Sequence, residues 1–340
     1  MKPLTYSLIA AALACGLASA TTTAYTTPVG YVSLGDTTVG QPAIKAFTDV
    51  SISIPLDRSP QVGSTQYVGQ IASIAGDVIT LSGTPALGDL TTIPHTVKIG
   101  SGANSGLIAL ITANTATTVT VSVQPGDSLT GIVSPDQIII NNAWTVLGLM
   151  GATVPAGTQV QGYSGLSTVE NLAPDLIYEF DGTNWIDLSS FNVADNTVLY
   201  PTETILIRNN SASPIASLVI SGQVPTTASR AIVVSAGTGT DNMLSFFGAV
   251  GQPIGTSGLS AIAHVGDQVQ AYTNGDAGEN KAPSVIIEFD GASWIDLSSF
   301  DDVTSTYLLQ GGQGYLFRRT AGDPVGDAVW TALPSYVPTL

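Results

Sequence analysis

Residues 157–191 read GTQVQGYSGLSTVENLAPDLIYEFDGTNWIDLSSF, and residues 266–300 read GDQVQAYTNGDAGENKAPSVIIEFDGASWIDLSSF. The two stretches align without a gap at an offset of 109, and 21 of the 35 positions are identical. This identity is far beyond chance and commits the C-terminal two thirds of the chain to two copies of one supersecondary unit. After one inserted residue the likeness continues, with Ile205-Leu206-Ile207-Arg208 against Tyr315-Leu316-Phe317-Arg318 and Pro214 against Pro324.

Each copy reads as a hairpin within a larger sheet. Residues 176–180 and 285–289 are strands, and Asp181-Gly182 and Asp290-Gly291 are turns, because glycine accepts positive φ at little cost. Trp185 and Trp294 open the return strands, where an indole can cover a cross-strand neighbour. Arg208 and Arg318 end aligned strands, which suggests cross-strand pairs with Glu179 and Glu288, worth under about 1 kcal/mol if exposed.

The alternation extends upstream. In residues 49–56 (DVSISIPL), Val50, Ile52, Ile54 and Leu56 share one face. Residues 71–82 and 107–123 each read as a hairpin, the first turning at Ala75-Gly76-Asp77. No stretch past the N-terminus sustains a helical period. The expected fold is all-β, with two related β-sandwich-like repeat domains and a small barrel-like β-module near the N-terminus. The division is 1–20 signal peptide, 21–60 N-terminal strands, 61–140 small module, 141–225 repeat one and 226–340 repeat two. Residues 50–56 resemble 243–249 (MLSFFGA) in pattern. If both open a repeat, the module is inserted into repeat one; otherwise it is a separate domain ahead of two repeats.

Composition narrows the function. Hydrophobic residues make up 44% and charged residues only 10%, so the surface must be neutral and polar, which suits an extracellular β-protein. Nine Lys and Arg against 25 Asp and Glu disfavour nucleic acid, whose phosphates need clustered cations. Beyond the N-terminus no apolar run reaches the roughly 18 residues of a membrane helix, so no transmembrane anchor is expected. Lys2, the apolar stretch 4–17 and Ala18-Ser19-Ala20 form a secretory signal with Thr21 as the mature start. The rival is a lipoprotein signal with Cys15 as acceptor. Cys15 is the only cysteine, so cleavage after Ala20 removes disulfides, thiolate chemistry and Cys-ligated zinc together.

The order of Thr27-Pro28-Val29-Gly30-Tyr31-Val32, Ser51-Ile52-Ser53-Ile54-Pro55-Leu56, the hairpin at 69–83, Ile111-Thr112-Ala113-Asn114, Ala143-Trp144-Thr145-Val146-Leu147-Gly148 and Glu279-Asn280-Lys281-Ala282-Pro283-Ser284 resembles a family of exported hypothetical proteins from Verrucomicrobia-type bacteria. The resemblance spans nearly the whole mature chain. It implies an exported protein of unknown function and supplies no catalytic or binding residues. The sequence departs from the pattern at Leu172, where repeat one lacks the lysine present at Lys281.

Four constellations offer chemistry. His95 and His264 are the only histidines, and His264 aligns with Pro155, so a Ser-His-Asp or multi-His site is not built into the repeat; each reads as a surface or loop residue. Glu179, Asp181 and Asp187 recur as Glu288, Asp290 and Asp296, a pattern a glycosidase could use, although the turns themselves explain the first Asp of each copy. Asp181, Asn184 and Asp187, with Asp290, Ser293 and Asp296, are weak calcium candidates. Trp185 with Tyr178, and Trp294 with Tyr272, form a candidate sugar platform, against the plainer reading that each Trp caps its hairpin.

The reading is an exported, non-catalytic surface, matrix or scaffold protein, secreted or on the outer cell surface, that self-assembles or meets a cell-surface glycan. The first alternative is a carbohydrate-binding module or adhesin using the Trp hairpins, and the second a secreted polysaccharide-acting enzyme. No cofactor is assigned beyond the calcium candidates. Intact-mass measurement of the exported protein is expected to give Thr21 as its first residue, with a melting temperature unmoved by reductant. A species beginning at a modified Cys15 overturns this.

Overall fold

The computed structural model describes residues 28–34, 42–61, 64–163 and 168–337. The signal segment, Cys15 and Thr21 lie outside the described residues. The architecture is all-β, and no helix among the described residues is long and apolar enough to cross a membrane.

Two antiparallel five-stranded sheets carry the duplicated sequence. The first runs Trp185–Asp187, Leu176–Phe180, Thr158–Gly162, Ile205–Asn209, Thr48–Ile52. The second runs Trp294–Asp296, Val285–Phe289, Gln268–Ala271, Gly314–Ala321, Thr238–Ser245. The two orders correspond strand for strand. A smaller layer covers each sheet: Val29–Leu34 paired with Leu218–Gln223 on the first, and Ser229–Val233 paired with Ala328–Ala332 on the second. Their apolar faces meet the large sheets, as Leu218 and Ile220 do with Val50, Val160 and Ile207, and as Val233 and Trp330 do with Val269, Ile287 and Phe317. This is sandwich packing, in which alternate side chains of two sheets fill one core.

Residues 67–142 form a closed six-stranded barrel, with Tyr67–Ala75, Val78–Leu81, Thr118–Val123, Ile108–Asn114, His95–Ile99 and Gln137–Asn142 in order around the ring. The turn at Gly76 has φ +60°, as a tight hairpin requires. Inward residues such as Ile71, Ile79, Val97, Ile111, Val121 and Ile138 pack into one buried core. In chain order the barrel falls between Thr48–Ile52 and Thr158–Gly162, both strands of the first sheet.

The opening strands correspond one residue differently from the sequence match. Asp49 lies opposite Arg208 and Asp241 opposite Arg318, so Asp49 is equivalent to Asp241 and Val50 to Asn242, not to Met243. A one-residue slip in a strand moves every side chain to the other face. Hydrophobic pattern alone tolerated the slip because Val50 and Ile52 are matched there by Met243 and Ser245 within a run that is buried on both faces.

Trp185 and Trp294 have no solvent exposure. Each indole tilts against the phenylalanine across its turn, Phe180 at 5.4 Å and Phe289 at 5.0 Å between ring centroids. Burial of an indole N–H requires an acceptor. Trp185 Nε1 donates to the Gly151 carbonyl at 3.0 Å and Trp294 Nε1 to Ser260 Oγ at 2.9 Å. The platform reading of these two rings is therefore corrected, since a ring without exposed face cannot stack on a sugar. Trp185→Ala and Trp294→Ala are each expected to cost about 3–5 kcal/mol in equilibrium unfolding; a loss below about 1 kcal/mol would show that these rings do not carry the core.

Candidate functional site

The seam between the repeats is built from the duplicated segment itself. Arg208 donates from Nε and Nη2 to the two carboxylate oxygens of Asp49 at 2.7 and 2.8 Å, within the first sheet. A loop of the second repeat then reaches across. The Asn280 backbone N–H donates to Asp49 Oδ2 at 2.8 Å, and Arg208 Nη2 donates to Asn280 Oδ1 at 2.9 Å. The mirror arrangement is present in the second repeat. Arg318 holds Asp241 at 2.7 and 2.9 Å, the Asn171 N–H donates to Asp241 Oδ2 at 2.7 Å, and Arg318 Nη2 donates to Asn171 Oδ1 at 3.3 Å. Each repeat therefore inserts one asparagine into the other's Asp–Arg pair.

The choice of residue follows from the backbone. Asn171 and Asn280 have φ of +56° and +50°, a region that asparagine tolerates better than most side-chain-bearing residues. Asp49 and Asp241 are buried, and a buried carboxylate is stable only when paired and hydrogen-bonded. The bidentate contacts push both arginines' pKa values further up. Backbone contacts extend the pseudo-two-fold: the Ser53 N–H donates to the Gly312 carbonyl at 3.2 Å, and the Ser245 N–H to the Thr202 carbonyl at 3.4 Å.

These interlocks flank an open groove of about 560 Å³. Gln161 and Tyr163 line it from the first repeat, and Gln270 and Tyr272 from the second. Burial pushes the Tyr163 phenol up to about 12 and raises Tyr272 as well. The pseudo-symmetry breaks where Leu172 faces the groove in one half and Lys281 in the other. Lys281 is not loose: its Nζ donates to the Thr273 and Asp276 carbonyls at 2.9 and 3.0 Å. On each sheet an amide ladder runs away from the groove, from Gln161 through Gln159 to Glu179, and from Gln270 through Gln268 to Glu288.

Several expected contacts are corrected by this geometry. Arg208 and Arg318 pair with Asp49 and Asp241 rather than with Glu179 and Glu288, because strands Thr158–Gly162 and Gln268–Ala271 lie between them. The calcium candidates are occupied as turn acceptors. Asp181 Oδ1 takes the N–H groups of Thr183 and Asn184, and Asp290 Oδ1 those of Ala292 and Ser293. Asp187 and Asp296 accept from Ser189 and Ser298, while Ser293 Oγ donates to Asp302. These bonds pull all four carboxyl pKa values down, an effect of turn chemistry that needs no ion. Tyr178 is buried in the first core, and Tyr272 lines the groove.

His264 is an exposed loop residue, as the sequence suggests, whereas His95 is not. His95 is fully buried, with Nδ1 at 3.0 Å from the Leu90 carbonyl and 2.6 Å from that of Ile93. His264 joins Asp267 and Asp323, with one ligand-type atom from each lying within 4.8 Å of the others. The buried Arg319 guanidinium already supplies the positive charge there, its Nη1 2.8 Å from Asp267 Oδ2 and 2.7 Å from His264 Nδ1. Burial first, then the neighbouring Asp267, pushes Asp323 up to about 6. The sequence signal for this cluster was the joint change of four aligned positions, from Pro155, Thr158, Asn209 and Ser213 to His264, Asp267, Arg319 and Asp323.

A second cavity, of about 80 Å³, is lined by Asp127, Glu203, Arg230 and Asp241. Burial pushes Glu203 up to about 7. Asp127 is paired with Arg230 at 2.8 Å and Asp241 with Arg318, and the volume is well below the roughly 300–1,000 Å³ of ligand sites. No family model matches the chain, and neither a curated protein nor a solved structure matches it.

The interlock makes a sharp expectation. Arg318→Ala leaves Asp241 buried without its cation, and equilibrium unfolding is expected to show a loss of about 3–5 kcal/mol. The double variant Asp241→Asn with Arg318→Met should recover part of that loss. A single-variant loss below about 1 kcal/mol would mean the pair is solvated rather than structural.

Proposed function

We propose that this is an exported, non-catalytic surface, matrix or scaffold protein whose inter-repeat groove takes a neutral, hydroxyl-rich ligand such as an oligosaccharide. The observation that carries this reading is the state of the groove's charges. Asp49, Arg208, Asp241 and Arg318 are committed to the two interlocks, and Lys281 is tied to its own loop. What lines the rest is phenol, amide and apolar side chain: Tyr163, Tyr272, Gln161, Gln270, Leu206 and Leu316. Such a surface hydrogen-bonds hydroxyls and covers C–H faces but provides no poised acid and base pair.

Self-assembly is the second reading. Among the described residues strand Val29–Leu34 is the outer strand of its sheet, and Val29 and Tyr31 are 70% and 75% exposed on it. An uncovered edge with apolar side chains is a template for further strand pairing. Filaments or lattices in negative-stain images of the purified protein would favour this reading.

The groove is tested with a soluble oligosaccharide array, read beside a reducing-end hydrolysis assay on the same compounds. Wild-type protein is expected to bind neutral oligosaccharides without turnover, and the Tyr163→Ala, Tyr272→Ala double variant to lose at least tenfold in affinity. Turnover by wild-type protein would replace the non-catalytic reading with the enzyme. Absent binding, or binding unchanged in the double variant, would remove the groove from it.

A further inference from the structure

Phe191 and Phe300 occupy the same place in the two repeats, and both are unusual in the same two ways. Each ring is almost fully in water, with 77% and 78% exposure. Each residue also sits in the left-handed backbone region, with φ of +59° and +63°. That conformation is disfavoured for a bulky side chain and is ordinarily given to glycine or asparagine. The loop geometry forces it: the Phe191 N–H closes onto the Asp187 carbonyl at 2.7 Å, and the Phe300 N–H onto the Asp296 carbonyl at 2.7 Å. Neither ring contributes to a core, so folding alone favours replacing both.

Another position shows what the fold does when it is free to choose. Phe47 has φ +49°, and its counterpart in the second repeat, at the offset set by Asp49 and Asp241, is Gly239 with φ +80°. One copy has taken the residue that the conformation favours. At 191 and 300 both copies retain phenylalanine, although 14 of the 35 aligned positions have diverged. Strain kept in duplicate at exposed positions points to function.

We infer that Phe191 and Phe300 are a matched pair of ring platforms that hold the protein on a neutral, repeating polysaccharide. Three observations select this partner. The rings sit in short polar loops: Ser189, Ser190 and Asn192 flank one, with Val193 the one other exposed apolar side chain in that loop, and Ser298, Ser299, Asp301 and Asp302 flank the other. A lone ring covers one sugar face but falls far short of the roughly 800 Å² per side of a stable protein interface. The net charge of −16 opposes anionic membranes and acidic polymers. Finally, the loops follow the outermost strands, Trp185–Asp187 and Trp294–Asp296, of sheets that meet through their opposite edge strands. Each loop therefore lies about four strand spacings, roughly 19 Å, from the inner edge of its own sheet. Two identical contacts on the corresponding outer strands of two sheets match a ligand that itself repeats, and a polymer long enough to reach both gains affinity from their being joined in one chain. This site is distinct from the inter-repeat groove, which lies between the sheets.

The test is co-sedimentation of the full mature chain with insoluble cellulose, chitin and β-1,3-glucan. Wild-type protein is expected to pellet with at least one. Phe191→Asn and Phe300→Asn should each weaken binding at least tenfold, and the double variant should stay in the supernatant. Phe191→Trp with Phe300→Trp should retain pelleting, because the ring face is what is used. Asparagine suits the backbone, so the Asn variants are expected to melt at or above the wild-type temperature, which separates lost binding from lost fold. Wild-type protein that pellets with none of the three polymers overturns the inference, as does pelleting unchanged in the double Asn variant. Dissociation of an oligomer by the Asn variants, seen in sedimentation velocity, would assign the rings to a second copy and overturn it equally. Groove variants Tyr163→Ala and Tyr272→Ala, run in parallel, should still pellet; soluble oligosaccharide binding reports on the groove and pelleting on the two rings.

Discussion

The reciprocal insertion of Asn171 and Asn280 into the opposing Asp–Arg pairs is the constraint on which the rest of this molecule depends. Asp49 and Asp241 are carboxylates withdrawn from water, and neither is satisfied by its own repeat alone. Arg208 and Arg318 supply charge, but the backbone N–H that completes each carboxylate comes from the other repeat. Separating the repeats would therefore take one backbone donor and one asparagine acceptor from each pair, a loss that falls on both sides at once. The same contacts fix the width of the groove and position Tyr163 opposite Tyr272.

The barrel is held against this frame by contacts of a different kind. Asp127 and Asn104 of the barrel loops receive the guanidinium of Arg230, on strand Ser229–Val233 of the second repeat, at 2.8 and 2.9 Å. On another side Lys98 points its Nζ over the Phe247 ring at 4.4 Å and lies 3.9 Å from Asp57. Burial lowers the Lys98 pKa and raises that of Asp57, each partly offset by the other's charge. The barrel thus meets the second repeat through one well-formed ion pair and one cation–π contact, and the first through Lys98 beside Asp57 and Gln66 hydrogen-bonded to Gln223.

How much of this was legible in the sequence depends on the range of the interaction. The all-β fold, the hairpins at residues 71–82 and 107–123 and the Asp-Gly turns rest on neighbours within a few residues, and alternation plus turn chemistry reveals them. The duplication likewise makes Trp185 and Trp294 equivalent in the sequence itself. What pattern could not reveal was pairing across long separations. Arg208 sits 159 residues from Asp49 and 72 from Asn280, and nothing local distinguishes Asp49 from Glu179 as its partner. The aligned asparagines of ENLAP and ENKAP were visible as identities, yet their role needs the other repeat beside them. Phe191 and Phe300 were equally visible, but their exposure and left-handed backbone belong to three dimensions.

The pseudo-two-fold seam has a consequence for how such a chain can have arisen and for how it behaves. A surface in which residue i of one copy meets residue j of the other, and j meets i, is the isologous geometry of a symmetric homodimer. Here both halves travel on one polypeptide. Two separate subunits would part on dilution, whereas tethered halves meet at an effective concentration set by the connecting chain. Dilution is harmless to a dimer that has been made covalent. Fusion also frees the halves to differ, and only one of them carries a barrel between its strands, or a charged His264–Asp267–Arg319–Asp323 corner.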